Sequence, residues 1–252
     1  MVVIGGGHDA TDNPPGALLT ASYPDDLLTS WIVSSKGHLE PMYFPLYAYA
    51  MGMKIEGMNR DELLDHTYVD VADSGVTNHP EVSVNTGATN KKLINGGFKV
   101  EWHGAGNLAT ASFPESEYSW KALSKDHLKW DPANLKVYAI SIAQQLPVGR
   151  IYTSAFKKTS GVAPHPSVSV SLTDTSIFNS EVYLEDSVYA LCCGGGEVHY
   201  TGFGNMLWSL RPSTTQGLQF FSASSKDHLK SDPSSISAYA MGILLSPNQS
   251  RT

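Results

Sequence analysis

Apolar and polar residues alternate with a period of two along much of the chain. In residues 98–102 aromatic or aliphatic residues alternate with charged ones, and in residues 82–84 two valines flank a serine. Successive side chains of a β-strand point to opposite faces, so this alternation predicts strands with one face in a core and one in water. The 22 Gly and 14 Pro favour many short strands joined by turns.

The alternating segments recur as three similar copies. Ser-Lys-Asp-His-Leu occurs at 124–128 and again at 225–229, and Ser-Lys-Gly-His-Leu occurs at 35–39. In each copy a tyrosine follows the histidine by 11 residues, and Trp or Phe precedes the lysine by five. Matched offsets of this kind predict internal repeats. The sequence therefore predicts a single domain, 1–252, that contains three copies and two mutually similar spacers. Copy 1, copy 2 and copy 3 are residues 1–56, 94–145 and 191–246, and the spacers are residues 57–93 and 146–190.

The predicted architecture is all-β with pseudo-threefold symmetry. Each copy is expected to form a four-stranded antiparallel meander, and three meanders would make three sheets in a β-prism-like layout. A trefoil-like barrel and stacked sandwiches are the alternatives. Closure would leave few strand edges exposed. One helix is expected near 59–66, where Asn59 and Glu62 have capping-box spacing. The glycine clusters that open the copies are interpreted as crowded strand starts or bulges.

The repeated lysine and histidine are the candidate chemistry. In the strand from Trp120 to His127, Lys125 and His127 share the face opposite the aromatic residue. We expect each copy to direct this basic pair to solvent at the end of the strand. A structural interpretation is also open: the histidine would bond a neighbouring carbonyl, the lysine stem would cover apolar surface, and Asp126 or Asp227 would cap a turn.

A ligand site in each copy is the functional interpretation. Sugars are bound by a few directional polar groups beside an aromatic platform, and three equivalent weak sites would add avidity for a multivalent glycan. The sequence therefore predicts a non-enzymatic, lectin-like protein whose partner is a glycan or glycoconjugate. The predicted ligand-binding residues are Lys36, His38, Tyr49, Lys125, Asp126, His127, Tyr138, Lys226, Asp227, His228 and Tyr239. The alternative is a structural, targeting or self-association module, such as the receptor-facing part of a toxin or coat, in which the repeats serve only packing.

Catalytic and metal sites are not expected. Asp126 and His127 are strand neighbours that point to opposite faces, so they cannot relay a proton. No nucleophile elbow, phosphate-binding glycine loop or metalloprotease motif is present, and no cofactor is implied. A hydrolase or lyase with one specialised copy is the remaining enzymatic alternative. Three imidazoles could meet at the pseudo-axis as in zinc sites, but the adjacent lysines would repel the ion.

Charge and cysteine content limit the classes of partner and the chemistry that the sequence supports. The net charge is −7 and the basic residues are scattered, which argues against nucleic acid. The two cysteines, Cys192 and Cys193, are adjacent and are interpreted as buried thiols. No signal peptide and no apolar run of about 20 residues are visible. Location stays open between the cytoplasm, a nonclassical secretion route and a mature form whose leader was removed, and the expected partners include a second copy in a homo-oligomer.

Overall fold

The computed structural model describes residues 1–11, 15–41, 44–87, 89–179, 188–215 and 217–248. Within them the fold is all-β with several antiparallel sheets, none of them closed. No helix among the described residues is long and apolar enough to cross a bilayer. In chain order the elements are β1 Val2–Asp9, β2 Leu18–Pro24, β3 Trp31–Lys36, β4 Tyr47–Met53, α1 Arg60–Asp65, β5 Thr67–Thr77, β6 Glu81–Asn85, β7 Lys91–Glu101, β8 Asn107–Pro114, β9 Ser119–Asp126, β10 Ala133–Ala143, β11 Gln145–Leu146, β12 Gly149–Thr159, β13 Ser167–Ser171, β14 Thr175–Asn179, β15 Ala190–His199, β16 Met206–Thr215, β17 Leu218–Lys226 and β18 Ser235–Pro247.

Three sheets contain these strands. Sheet A has the order β13-β17-β16-β1-β4, and sheet B has the order β3-β2-β7-β10-β5. Sheet C has the order β11-β12-β18-β15-β8-β9-β6, and β14 pairs with β12. Each sheet thus combines the second and third strands of one copy with the first and fourth strands of the next copy. The prediction that each copy forms its own four-stranded meander is wrong.

Glycine explains why neighbouring copies share a sheet. The first strand of each copy runs beside the second strand of the preceding copy, and a glycine faces that strand's backbone. A Cβ on Gly97 would lie 2.4 Å from the Ser22 oxygen, and one on Gly195 would lie 2.1 Å from the Ser112 oxygen. Gly7 makes the same approach to Leu210. Because only glycine permits this approach, the glycine clusters join the copies to each other.

In the core an aromatic ring packs against a second glycine of each cluster. Trp120 is 1% exposed, and a Cβ on Gly96 would lie 2.1 Å from its Cγ. The indole Nε1 donates to Ser112 Oγ at 2.9 Å, so the buried polar atom is satisfied. Trp31 on Gly6 and Phe221 on Gly194 repeat this packing. The glycines are crowded as expected, but they lie in the middle of β1, β7 and β15 and not at strand starts.

The two spacers extend the sheets at two of their borders. The first spacer supplies β5, which pairs with β10, and β6, which pairs with β9. The second supplies β12, which pairs with β18, and β13, which pairs with β17. All four pairings are antiparallel. In the described residues no strand pairs with the outer edges of β3 and β4, where sheets B and A end. The expected protection of strand edges by closure is therefore absent there.

Two local predictions are confirmed. Helix α1 begins after Asn59, whose side chain accepts from the backbone of Glu62 at 3.0 Å, while Glu62 accepts from the backbone N–H of Asn59 at 2.8 Å. Cys192 and Cys193 are free thiols, each 1% exposed. Burial raises the pKa of Cys192 well above its usual range and that of Cys193 to about 12. Both thiols therefore stay protonated and unreactive at neutral pH.

Candidate functional site

The three copies bring their lysine and histidine together inside the molecule. The imidazole centroids lie 5.3 Å apart for His38 and His127, 5.4 Å for His38 and His228, and 6.0 Å for His127 and His228. All three rings are at most 1% exposed, and Lys125 and Lys226 are 6% and 0% exposed. The expectation that each copy directs the pair to solvent is wrong for copies 2 and 3, and in copy 1 His38 is buried while Lys36 is half-buried. The physical reason is that a loop of the next copy covers this face.

In copy 2 the pair binds one backbone carbonyl of copy 3. Lys125 Nζ donates to the Phe203 oxygen at 2.6 Å, and His127 Nδ1 lies 3.1 Å from the same oxygen. The ammonium also lies 4.7 Å from the ring centroid of Tyr200, a cation–π distance. Burial lowers the pKa of Lys125, while Asp126 and Asp232 oppose this effect. The lysine contributes a charge-assisted hydrogen bond between copies.

The other two copies make the corresponding contacts. Lys36 donates to the carbonyl oxygens of Gly104 and Ala105 in copy 2, and His38 Nδ1 lies 3.0 Å from the Ala105 oxygen. In copy 3, Lys226 Nζ lies 3.3 Å from the Thr11 oxygen and His228 Nδ1 lies 2.9 Å from the Pro15 oxygen, both in copy 1. Copy 1 therefore binds copy 2, copy 2 binds copy 3, and copy 3 binds copy 1.

The second ring nitrogens reach inward to other histidine backbones. His127 Nε2 lies 2.6 Å from the His228 oxygen, and His228 Nε2 lies 2.8 Å from the His38 oxygen. Burial lowers the pKa of His228, although its two carbonyl partners oppose the shift. Burial also lowers the pKa of His38 to about 4, and the neighbouring imidazoles add to that effect. Protonation of His38 and His228 is therefore disfavoured at neutral pH.

A leucine follows each histidine in an uncommon backbone conformation. The φ angles of Leu39, Leu128 and Leu229 are 64°, 58° and 61°, and the side chains are 42%, 40% and 43% exposed. The left-handed region costs an L-residue about 1–2 kcal/mol. The turn at the leucine sends the chain away from the cluster immediately after the histidine. The strained backbone thus occurs at the same point in all three copies, directly after the histidine of the cluster.

The loop that receives Lys36 is held by residues that the sequence analysis missed. Gly106 has a φ of 115°, and a Cβ there would lie 2.8 Å from Lys36 Cδ. Asp131 accepts from the backbone N–H groups of Gly104 and Gly106. In copy 3 Asp232 accepts from Gly202 at 3.1 Å and from Gly204 at 2.6 Å. The sequence signal was an Asp-Pro pair beginning four residues after the histidine in these two copies.

The two predicted aspartates lie beside the cluster and serve different contacts. Asp126 Oδ1 lies 3.0 Å from Nε2 of His79 in the first spacer. Asp227 Oδ1 accepts from Asn205 Nδ2 at 2.9 Å. Neither contact is the predicted capping of a turn by the carboxylate. Gly37 stands at the equivalent position of copy 1, so copy 1 has no carboxylate there.

The three predicted tyrosines lie in the fourth strands of the copies, and those of copies 2 and 3 stack on other aromatic rings. Tyr138 stacks on Tyr23 with ring centroids 5.1 Å apart, and both rings are half-buried. Tyr239 stacks on Phe113 at 5.0 Å but is only 2% exposed, and its hydroxyl donates to Glu197 Oε2 at 2.6 Å. Tyr49 is half-buried in β4. The ring partners of Tyr138 and Tyr239 are thus other aromatic residues and not the lysine–histidine pairs.

The histidine cluster has the geometry of a packing centre. Its Nδ1 atoms face carbonyl oxygens of the next copy, and two of the Nε2 atoms face carbonyl oxygens as well. Among the described residues no group of three or more His, Cys, Asp or Glu side chains is arranged to hold a metal ion. A neutral imidazole carries one N–H, so His127 and His228 each donate to one of their two carbonyl neighbours. What the arrangement can do chemically is tie three chain segments together through these hydrogen bonds and those of the lysines.

No protein-family model, no curated protein and no solved structure matches the chain. Function must therefore be argued from the geometry of the molecule itself.

Proposed function

We propose that the protein is a non-catalytic structural module in which the lysine–histidine pairs serve packing and in which docking is left to the surface of copy 1. The observation that carries this proposal is the burial between copies of all three histidines and of Lys125 and Lys226, with Lys36 half-buried. Groups that are sealed from solvent and already bonded to carbonyls have little capacity for an external ligand. The same burial argues against using these pairs as the predicted sugar sites.

We also propose a pseudo-threefold, β-prism-like arrangement in preference to a trefoil-like barrel or stacked sandwiches. It is supported by the way each of sheets A, B and C is assembled, from two strands of one copy and two of the next. The cyclic order of the lysine contacts supports it further. Three sheets that share their strands in this way would give a rigid scaffold.

The test is the double substitution Lys125→Ala with His127→Ala. Removing both side chains leaves the part-buried Phe203 carbonyl without these partners and empties the space of two buried side chains, so the free energy of unfolding should fall by more than about 2 kcal/mol in urea titrations. The matched control is His103→Ala with Lys129→Ala, because this histidine and lysine are exposed. The control should change stability by less than about 0.5 kcal/mol.

The opposite result would favour the lectin-like interpretation of the pairs. If the first double variant kept full stability but lost binding on a glycan array, the pairs would be ligand groups and the proposed packing role would be wrong.

A carbohydrate site at another place is the second candidate, favoured by the stacked Tyr23 and Tyr138. This half-buried aromatic surface is flanked by directional polar groups: Lys136 Nζ lies 2.9 Å from Glu101 Oε1, and Asn134 Nδ2 donates to Glu101 Oε2 at 3.1 Å. Aromatic platforms with such neighbours are typical of sugar sites.

The second candidate predicts that Tyr138→Ala abolishes glycan-array signals that the wild type gives. The exposed Tyr47, in β4, provides the control, and Tyr47→Ala should leave those signals unchanged. An array without any wild-type signal would eliminate a glycan partner at this surface.

A further inference from the structure

In each copy the third strand belongs to one sheet and the fourth strand to another, and we call this pair of strands a sheet border. At two of the three borders, a pair of spacer strands is added. At the border of β9 and β10, the first spacer adds β6 and β5, and at the border of β17 and β18, the second spacer adds β13 and β12. The third border lies between β3 and β4. In the described residues it carries no added strand, and we call it the open border.

An identical tetrapeptide shows what the open border lacks. Tyr-Ala-Met-Gly occurs at 49–52 in β4 and at 239–242 in β18. In β18, Tyr239, Ala240 and Met241 are 2%, 0% and 0% exposed. In β4 the tyrosine and methionine are half-buried and the alanine and glycine are exposed. The difference in burial thus comes from what covers the strand and cannot come from the sequence of the strand itself.

The third strand of copy 1 is also less covered than its counterparts. Ile32 is 38% exposed, and Val33 to Lys36 are half-buried. In copy 2 the corresponding β9 buries Ala122 and Ser124 at 0% and 2%. Both strands of the open border therefore present apolar side chains and unpaired backbone edges in the described part of the chain.

The edge of β4 lacks the charges that usually discourage pairing. Residues 44–53 contain no Asp, Glu, Lys or Arg. β5, whose outer edge is also free within the described residues, carries Asp70 and Asp73. Charged residues protect exposed edges from added strands. By this criterion β5 is a protected edge and β4 is an edge suited to accept a strand.

We propose that the open border binds a two-stranded segment of a partner polypeptide, by the same pairing that the spacers use elsewhere in this chain. One partner strand would pair antiparallel with β4, and a second would pair antiparallel with β3. The inference rests on the proposed function, since it names the partner class of a docking module. Backbone hydrogen bonds give such strand addition its affinity, and pockets for alternate side chains give it specificity.

The two spacers indicate the chemistry of the partner. In each, a long strand is followed by His-Pro and then by a short strand in which Val and Ser alternate. Val82 and Val84 are 8% and 5% exposed, so the alternating valines are the residues that enter the core. The spacer histidine is dispensable at the open border because its acceptor, Asp126, is replaced by Gly37 in copy 1.

A peptide of residues 67–85, which contains β5 and β6, is the probe. We expect saturable binding of the labelled peptide to the purified protein by fluorescence anisotropy, with slowed amide exchange in β3 and β4. The variant Ala48→Lys with Ala50→Lys places two charges on the exposed β4 residues and should weaken binding at least ten-fold. Val69→Lys with Val71→Lys, on the protected edge of β5, is the matched control and should bind as the wild type does. A peptide with His79→Ala should bind equally well.

A covalent arm uses the same segment. Residues 57–90 are fused in front of Met1. When copy 1 is aligned on copy 2 by matching Gly6 with Gly96, Met1 falls at the position of Lys91, so the fused segment joins copy 1 as the first spacer joins copy 2. The graft should raise the melting temperature by several degrees and protect β4 from exchange.

The proposal is overturned if neither arm changes the exchange of β3 and β4, or if the lysine variant binds the peptide as well as the wild type. A dimer that the lysine variant abolishes and the peptide cannot compete away would also overturn it, because the occupant would then be a second copy. The proposed packing role is tested by a different measurement: it is wrong if the double variant Lys125→Ala with His127→Ala is as stable as the wild type.

Discussion

His8 is a buried imidazole with no role in the lysine–histidine cluster. It is 0% exposed, and within the described residues neither ring nitrogen has a hydrogen-bond partner. Burial lowers its pKa to about 3. Matching the glycines that underlie the aromatic rings places Phe98 at the equivalent position in copy 2, where it is 0% exposed. The site in copy 1 is thus one that a phenyl ring suits.

We predict that His8→Phe stabilises the protein by about 1–2 kcal/mol at pH 7.5, because it removes two unpaired polar atoms from the core. Urea unfolding followed by tryptophan fluorescence measures the change. His103→Phe, at an exposed histidine, should leave the free energy of unfolding nearly unchanged. A loss of stability in His8→Phe would show that the cavity is too small for the larger ring.

The residue pattern located the lysine–histidine pairs but gave the wrong environment for them. Strand parity correctly predicts that Lys125 and His127 share a face, and it says nothing of what covers that face. The cover is the loop at Phe203, which lies 78 residues beyond Lys125 in the sequence. A contact between such distant segments leaves no pattern in the sequence around Lys125. The sequence therefore does not distinguish the structural interpretation of the pair from the ligand-binding one.

At the scale of elements, the packing of a ring on a strand glycine is the feature most sensitive to substitution. Gly96→Ala would place a Cβ 2.1 Å from the Trp120 ring, so either the strand or the buried indole must move. We predict a loss of at least about 3 kcal/mol or failure to fold, by the mechanism of overpacking. Gly161→Ala is the control, because no atom lies within 4 Å of the added Cβ. Thermal melts of both variants give the comparison.

The strands of each copy were predictable, but their partners were not. Alternation and the matched offsets locate the strands of each copy, and Asn59 with Glu62 locates α1. Pairing within a copy was the simplest assumption, since sequential strands pair most often. The glycines decide otherwise: Gly97 admits the backbone of Ser22, from the preceding copy. The copies are therefore units of sequence whose strands belong to two sheets.

For the whole molecule, buried histidines predict loss of stability in acid. The pKa of His38 is lowered to about 4, against about 6.5 for an unfolded histidine. Between these values the unfolded chain takes up a proton that the folded chain refuses, so stability falls as the pH falls. The contribution is nil above pH 6.5 and reaches about 2 kcal/mol at pH 5, at about 1.4 kcal/mol per unit. His8 adds to the same trend.

The measurement is the free energy of unfolding in urea at pH 7.5, 6 and 5. The wild type should lose stability across this range, and His8→Phe with His38→Gln should lose distinctly less. Equal slopes for the two proteins would contradict the assignment of the acid sensitivity to these rings.

The order in which lysines reach carbonyls also constrains how the chain can be divided. Lys226 and His228 contact the loop at Thr11 and Pro15, so the last third of the polypeptide closes on the first. Removing any one third would break contacts on both of its sides. Isolated fragments should consequently stay unfolded, and the intact chain should melt in a single transition although its sequence contains three similar segments.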